Sequence, residues 1–354
     1  MASDLVVGID VGGTNVRAAV FRGLRAAAGH TGTGPEVDRA IAEAVRPVAE
    51  RREPVGRDRE PDHLVPRLVG LVQALLAEAG LSDQEVPVGI GFAGMLRGEA
   101  GLVVRAPHLG WHNVPLGQLM QAALGARHRV VVENDVNAIT WGEYKVGVGR
   151  GASDVLGVFI GTGIGGGAVS GGRLLTGGTG CAVEIGHTKV VIDESARPCA
   201  CGLKGCVEAY AGGEYLQRRA RAELAGGARS AAVAMAGGAE RVNPGHLDAA
   251  AAEGDDYALT LWAEIAPLVG VALANAVTLL NPNKLILGGG VLSRTPVLRE
   301  HVIAAMEVAV NPPARDGLAI ESAALGDDAG LVGSALLALG AQSSPGDGLE
   351  PERG

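Results

Sequence analysis

Leu5-Val-Val-Gly-Ile-Asp10-Val-Gly12-Gly13-Thr14-Asn15-Val-Arg-Ala-Ala-Val-Phe21 is the stretch that decides the architecture. Leu5 to Asp10 reads as a buried strand, Val11 to Asn15 as a tight glycine turn, and Val16 to Phe21 as a second strand. The same grammar returns about 150 residues later: Val155 to Ile160 is an apolar strand, Gly161-Thr162-Gly163-Ile164-Gly165-Gly166 a glycine turn, and Gly167 to Leu175 a strand-like segment. Two such units imply an internal duplication, one copy per lobe, with a cleft between them. Helical spacing of apolar residues predicts a helix over Asp62–Ala79 in the first lobe and over Tyr257–Leu280 in the second. Strands alternating with helices give an α/β sheet architecture.

The glycine turns imitate a dinucleotide fingerprint. Gly161-x-Gly163-x-x-Gly166 and Gly89-x-Gly91-x-x-Gly94 both match its spacing. That fingerprint needs a helix directly after the glycines to receive the pyrophosphate. Here Ala168-Val169-Ser170-Gly171-Gly172 and Met95-Leu96-Arg97-Gly98 follow, and neither starts a helix. With no Gly-Lys-Ser/Thr run either, two hairpin turns remain whose N–H groups can cradle phosphate.

A second cluster is metal-like. Cys199-Ala-Cys201-Gly-Leu-Lys-Gly-Cys206 holds three of the four cysteines, and His187 stands twelve positions before Cys199. Three thiolates and an imidazole form a complete tetrahedral set for a structural zinc. A disulfide with a spare thiol is the alternative. No signal peptide precedes the first strand, so a reducing cytoplasm is the expected compartment, and one intervening residue makes an awkward disulfide. Cys181 is read as a small buried residue. Glu184 and Glu208 flank the metal set, so ordering this loop would also fix two carboxylates.

Composition narrows the partners. The chain has 354 residues, 47% of them apolar, a net charge of −9 and no basic patch, which argues against nucleic acid or an anionic membrane. The longest apolar runs fall short of a membrane span. Glycine makes up 56 residues, about twice the usual share of roughly 7%, and gathers in loops where backbone must approach something closely. The Arg46–Arg67 stretch mixes charges with prolines and reads as a solvated surface insertion; residues 341–354 read as a disordered tail.

The chemistry-bearing residues lie at strand ends. Arg129–Val132 is a short strand, and Glu133-Asn134-Asp135 follows it before a helix over Val136–Val146. Asn134 or Asp135 alone would be read as a helix cap. Together with Asp10, Glu184, His187 and Glu208, they match the strand-end crevice where ligands of open α/β sheets collect.

Taken together, Asp10-Val-Gly12-Gly13-Thr14-Asn15, Glu133-Asn134-Asp135, Gly161-Thr-Gly163-Ile-Gly165-Gly166, Glu184-Ile-Gly186-His187 and Cys199-Ala-Cys201 through Gly205-Cys206-Val-Glu208 resemble the ROK family of bacterial sugar kinases. Asn281-Pro282-Asn283-Lys284 through Gly288-Gly289-Gly290 resembles its adenosine-side motif, and Ala106-Pro107-His108-Leu109-Gly110-Trp111 is similar to a segment of its glucokinases. The resemblance implies a two-lobed actin-like (ribonuclease H-like) ATPase and sugar-kinase fold with an interlobe cleft. Its smaller lobe would comprise 1–137 plus 327–340, and its larger lobe, with the zinc loop, 138–326. The implied activity is ATP-dependent phosphorylation of the 6-hydroxyl of glucose, with Mg²⁺ and a structural Zn²⁺, in a cytoplasmic homodimer or higher homo-oligomer. Alternatives are an N-acetylhexosamine kinase and, from another class, a non-catalytic sugar-sensing regulator. Such regulators carry an N-terminal helix-turn-helix, whereas here the first glycine turn starts near residue 10.

The resemblance also implies roles. Asp135 would be the general base, ionised at neutral pH if it keeps its ordinary pKa of about 3.9. Gly94, Asn134, Glu184, His187 and Glu208 would hold the sugar with Asp135, carboxylates suiting a ligand rich in O–H donors. Gly12, Gly13, Thr14, Asn15, Thr162 and Gly163 would line the phosphates. Asp10 would help hold Mg²⁺, and Gly289 and Gly290 would flank the adenosine. His187, Cys199, Cys201 and Cys206 would hold zinc. Two positions depart from the family pattern: Ala93-Gly94 stands where Pro-Gly is usual, and His108 where Asn is common.

Overall fold

The computed structural model describes residues 4–30, 32–98 and 100–340; the expected tail at 341–354 lies outside them. The chain divides into two compact units, the first running to Val146 and resuming at Asp327, the second spanning Gly147–Gly326. The expected break at 137/138 falls inside the helix Asp135–Val146, which stays with the first unit. Its partner there is the helix Ala329–Gly340: Gly142 and Gly333 let the two backbones meet, and a Cβ on Gly333 would collide with the Ala138 carbonyl.

In the first unit β1 (Leu5–Val11), β2 (Asn15–Arg22), β3 (Ala49–Pro54), β4 (Val88–Phe92), and a later strand, Val130–Asn134, make one sheet. Its order is β3-β2-β1-β4 and then Val130–Asn134; β1, β4 and that last strand run parallel, and β2 is antiparallel to both neighbours. The core strands carry apolar residues on both faces because helices cover them. Side chains at Leu64, Leu68, Leu71 and Leu75 of the helix Pro61–Glu78 are buried, and Gly8 and Gly89 let the Ala329–Gly340 backbone lie directly on β1 and β4. A small antiparallel sheet of β5 (Met95–Arg97), β6 (Leu102–Ala106) and β7 (Trp111–Val114) completes the unit; the Val130–Asn134 strand is β8.

The Arg46–Arg67 stretch faces solvent, as expected, but it is part of the sheet and not a surface insertion. It carries β3, paired with β2 from Asn15↔Pro54 to Val20↔Ala49, and then starts the Pro61–Glu78 helix. An edge strand rich in charge is a common guard against pairing with another chain, and it hides the alternation that would reveal a strand. The loop after it is tied down: Arg59 Nη1 donates to the His108 carbonyl at 2.9 Å and Trp111 Nε1 donates to the Arg59 carbonyl at 2.6 Å.

The second unit repeats the plan. β9 (Val155–Ile160), β10 (Ile164–Ser170), β11 (Arg173–Leu174), β12 (Lys284–Gly288) and β13 (Ala319–Ser322) form a sheet ordered β11-β10-β9-β12-β13, with β9, β12 and β13 parallel. Strand for strand this is the order and sense of the first sheet, as the paired glycine turns imply. The turn itself is shorter than expected: β10 already starts at Ile164, and Gly165 pairs with Phe159. The helix Asp256–Leu280 is, among the described residues, the one long and apolar enough to cross a membrane, contrary to the reading that the apolar runs fall short. Here Leu261, Trp262, Ile265, Val269, Leu273 and Val277 are buried in the unit's core.

Candidate functional site

In the first unit, the parallel strands β1, β4 and β8 deliver Asp10, Gly94 and Asn134–Asp135 to their carboxyl ends. Asn134 caps the Asp135–Val146 helix, its Oδ1 accepting from Val136 N at 2.9 Å and Asn137 N at 3.0 Å. Its Nδ2 donates to the Gly94 carbonyl at 3.0 Å and to Asp135 Oδ1 at 3.1 Å. Both amide hydrogens and both lone pairs of Asn134 are thus engaged, so the capping role is realised in full. Asp135 Oδ1 also accepts from Val136 N at 3.0 Å, while its Oδ2 accepts no hydrogen bond from another residue among those described. Burial raises the Asp135 carboxyl above its ordinary value; backbone N–H groups, His108 and Asn134 pull it back.

Asp10 is pushed up to about 6, first by burial and then by the neighbouring Asp135 charge, with Arg17 opposing. Arg17 is anchored beneath by Glu50 and Asp328, each at 2.6 Å. Two carboxylates that repel one another in a partly desolvated place suit a divalent cation.

Each glycine turn presents free donors. Gly12 N–H is used internally, bonding to the Asn15 carbonyl at 3.0 Å, and the N–H groups of Gly13 and Thr14 find no acceptor among the described residues. In the second unit Gly161 N donates to the Gly163 carbonyl at 2.9 Å, again leaving the N–H groups of Thr162 and Gly163 free. The missing side chains serve the protein: a Cβ on Gly13 would lie 3.1 Å from His108 Cβ, and one on Gly163 would strike the Glu208 carboxylate. Gly289, at φ 86°, packs on Ile160, where a Cβ would collide with the carbonyl; Gly290 faces open space.

The second unit brings the metal-like residues together. The ligand atoms of His187, Cys199, Cys201 and Cys206 all lie within 4.8 Å of one another. Cys201 Sγ is 3.6 Å from Cys206 Sγ, and Cys199 Sγ is 3.8 Å from His187 Nδ1. Tetrahedral zinc with Zn–S near 2.3 Å places sulfurs about 3.8 Å apart, so the cluster has the dimensions of such a site. Burial, then the neighbouring thiols, push Cys199 up to about 12; a bound cation would reverse that by holding the thiolates. Lys189 Nζ lies 2.8 Å from Cys206 Sγ, a cation beside the thiols that sequence reading missed, although its place two residues after His187 was a signal. Cys181, expected to be buried, is half-exposed.

The metal-like loop also sets the carboxylates. Glu208, two residues after Cys206, opens the short helix Glu208–Ala211, and its Oε2 accepts from Ile164 N at 2.9 Å, tying the loop to the second glycine turn. Glu184 precedes the helical turn Ile185–His187, and His187 N donates to the Glu184 carbonyl at 3.0 Å. Just before it, Val183 adopts φ 59°, a left-handed conformation rare for a β-branched residue, which re-aims the chain at Glu184. Nothing in the residue type announces that strain.

A model of the ROK family matches residues 6–341. The glucokinase of Streptomyces coelicolor is 32% identical over 341 residues, covering 94% of this chain and 97% of that protein. The N-acetylmannosamine kinase of Citrobacter koseri is 32% identical over 284 residues, covering 79% and 87%. Among solved structures, a ROK family glucokinase from Streptomyces griseus in complex with glucose and AMPPNP superposes with a TM-score of 0.74 at 30% identity, covering 95% of this chain and 99% of that one.

Proposed function

The chain belongs to the ROK family, with its actin-like α/β fold, and from that premise we propose that it phosphorylates the 6-hydroxyl of glucose with ATP. The observation that carries the proposal is Asp135: a carboxylate held by one oxygen at a strand end, with the other oxygen open and its basicity raised by burial. The 6-hydroxyl gives its proton to Asp135 as its oxygen bonds to the γ-phosphorus, and the bond from that phosphorus to ADP breaks. Asn134 and Val136 N–H aim the carboxylate. Asn134 reaches a ring hydroxyl only by giving up one of its four bonds, so Glu184, His187, Glu208 and the Gly94 backbone are the better sugar partners in this reading.

The free N–H groups of Gly13, Thr14, Thr162 and Gly163 take phosphate oxygens, with Asn15 shaping the first turn and Gly289–Gly290 facing the adenosine. Mg²⁺ bound with ATP would neutralise phosphate charge, and in this reading Asp10 would help hold it through water. His187, Cys199, Cys201 and Cys206 would hold a structural zinc. A cytoplasmic homodimer belongs to the same reading; a monomer mass by light scattering would contradict it. An N-acetylhexosamine kinase is the second reading, favoured by the Citrobacter koseri relative but over a shorter match.

An ADP-release assay with a panel of hexoses and N-acetylhexosamines decides between these. Glucose is expected to give the highest kcat/KM, and absence of any sugar-stimulated turnover refutes the kinase reading. Asp135→Asn is expected to lose roughly 10²- to 10⁴-fold in kcat, the usual share of a general base, while binding glucose with little change. Near-normal turnover would assign the base elsewhere.

A further inference from the structure

His108, one of the two positions that depart from the family pattern, sits on a tightly held turn at 106–110. Leu109 N donates to the Ala106 carbonyl at 3.1 Å and Gly110 N to the Pro107 carbonyl at 3.3 Å. Leu109 and Trp111 are buried, and the Trp111 ring stacks on Phe92 of β4 with centroids 5.2 Å apart. From outside the turn, Arg59 Nη1 donates to the His108 carbonyl at 2.9 Å. The His108 side chain is nonetheless exposed. A fixed backbone that holds out an open polar side chain is an arrangement that binding residues on loops commonly share.

Gly13 shows where the imidazole lies. The space that a Gly13 Cβ would take has three nearest neighbours, all from His108: Cβ at 3.1 Å, Cγ at 3.3 Å and Nδ1 at 3.8 Å. The Nδ1 edge of the ring therefore runs along the glycine turn whose Gly13 and Thr14 N–H groups are free. Among the described residues the one hydrogen bond of His108 is through its carbonyl, so neither ring nitrogen is committed. One of them is a donor in either neutral tautomer, and both are in the cation. The same imidazole is near enough to Asp135 for its charge to favour the ionised carboxylate. His108 thus touches the turn read as a phosphate cradle and is felt at the residue read as the base.

We infer that His108 is a further catalytic residue, its ring N–H donating to an oxygen of the γ-phosphoryl group as that group passes from ATP to the sugar 6-hydroxyl. The imidazole keeps its proton throughout; the hydroxyl proton goes to Asp135, and ADP leaves. Charge in such a transfer is spread over the three equatorial oxygens, and a donor already fixed beside them stabilises it without reorganising. This inference deepens the phosphotransferase reading and rests on it for the identity of the donor.

The test joins kinetics to NMR of the full chain labelled at histidine, the His108 signal being assigned by its loss in His108→Asn. In the presence of glucose, AMPPNP is expected to shift that signal, whereas ADP, which lacks the γ-phosphate, leaves it near its free position. His108→Ala should lower kcat about tenfold, in line with one charge-assisted hydrogen bond, and move the glucose KM less than twofold. His108→Asn, which keeps an amide donor near the place of Nδ1, should restore part of the loss. His112, exposed on β7, is the control, and His112→Ala should match the parent. A kcat within twofold of the parent for His108→Ala, an equal loss in His112→Ala, or a His108 signal that AMPPNP leaves unmoved or that ADP moves as far would overturn the inference. The two readings fail separately. An unmoved signal in a protein that phosphorylates glucose overturns this inference alone, whereas a γ-phosphate-dependent shift in one that phosphorylates no hexose sinks the kinase reading and leaves the phosphate contact standing.

Discussion

Replacing Asp10 by asparagine should make the protein more stable at neutral pH and leave it unchanged in acid. Burial and the Asp135 charge hold Asp10 at about 6, whereas an unfolded chain would titrate it at about 3.9. The folded state thus keeps a proton that the unfolded state has already lost between those two values, so stability falls as pH rises through that window. The difference of about two pKa units corresponds to roughly 3 kcal/mol, fully felt above pH 6 and absent below pH 4. An asparagine side chain has nearly the same shape and no charge to desolvate. For a unit of this size 1 kcal/mol moves the midpoint by about 2–4 °C, so Asp10→Asn should melt about 6–12 °C higher than the parent at pH 7.5. At pH 4 the two should coincide. The assay is differential scanning calorimetry from pH 4 to 8, in buffer free of Mg²⁺ and nucleotide so that no bound cation offsets the penalty. Equal midpoints at pH 7.5 would refute the account. So would a stabilisation of the same size at both ends of the range, since that would come from packing and not from titration.

Two further outcomes follow from the metal-like loop and the turn it supports. Stripping metal from the protein, verified by elemental analysis, is expected to weaken glucose binding at least tenfold by calorimetry, because His187, Glu184 and Glu208 lose their common frame; an unchanged glucose Kd in metal-free protein would remove the brace. Gly163→Ala should drive the Glu208 carboxylate off the Ile164 N–H, a charge-assisted bond worth about 1.5–3 kcal/mol, and lower the midpoint by several degrees, whereas Gly161→Ala, whose Cβ meets nothing within 4 Å, should melt within a degree or two of the parent.

The contrast between those two glycines shows where sequence reading succeeds and where it stops. Apolar strands around a glycine turn are legible because period and length are local properties, and both copies of the sheet could be anticipated from them. The His187–Cys206 set is legible because ligand identity and spacing are themselves the chemistry. β3 is not legible, since a charged edge strand open to water has no apolar face to alternate. The four commitments of Asn134 are not legible either; a cap and a ligand-binding amide look alike until the partners are in place. Gly163 carries the argument furthest. A glycine in such a turn announces that something comes close, and phosphate is the natural expectation. The atom that actually occupies the space of its missing Cβ is the carboxylate of Glu208, 45 residues away in sequence. Phosphate recognition then rests on the free N–H groups of Thr162 and Gly163, while the glycine itself lets the cysteine loop hold the turn in shape. The two motifs that look independent along the chain are therefore one construction, and disturbing either should be felt at the other.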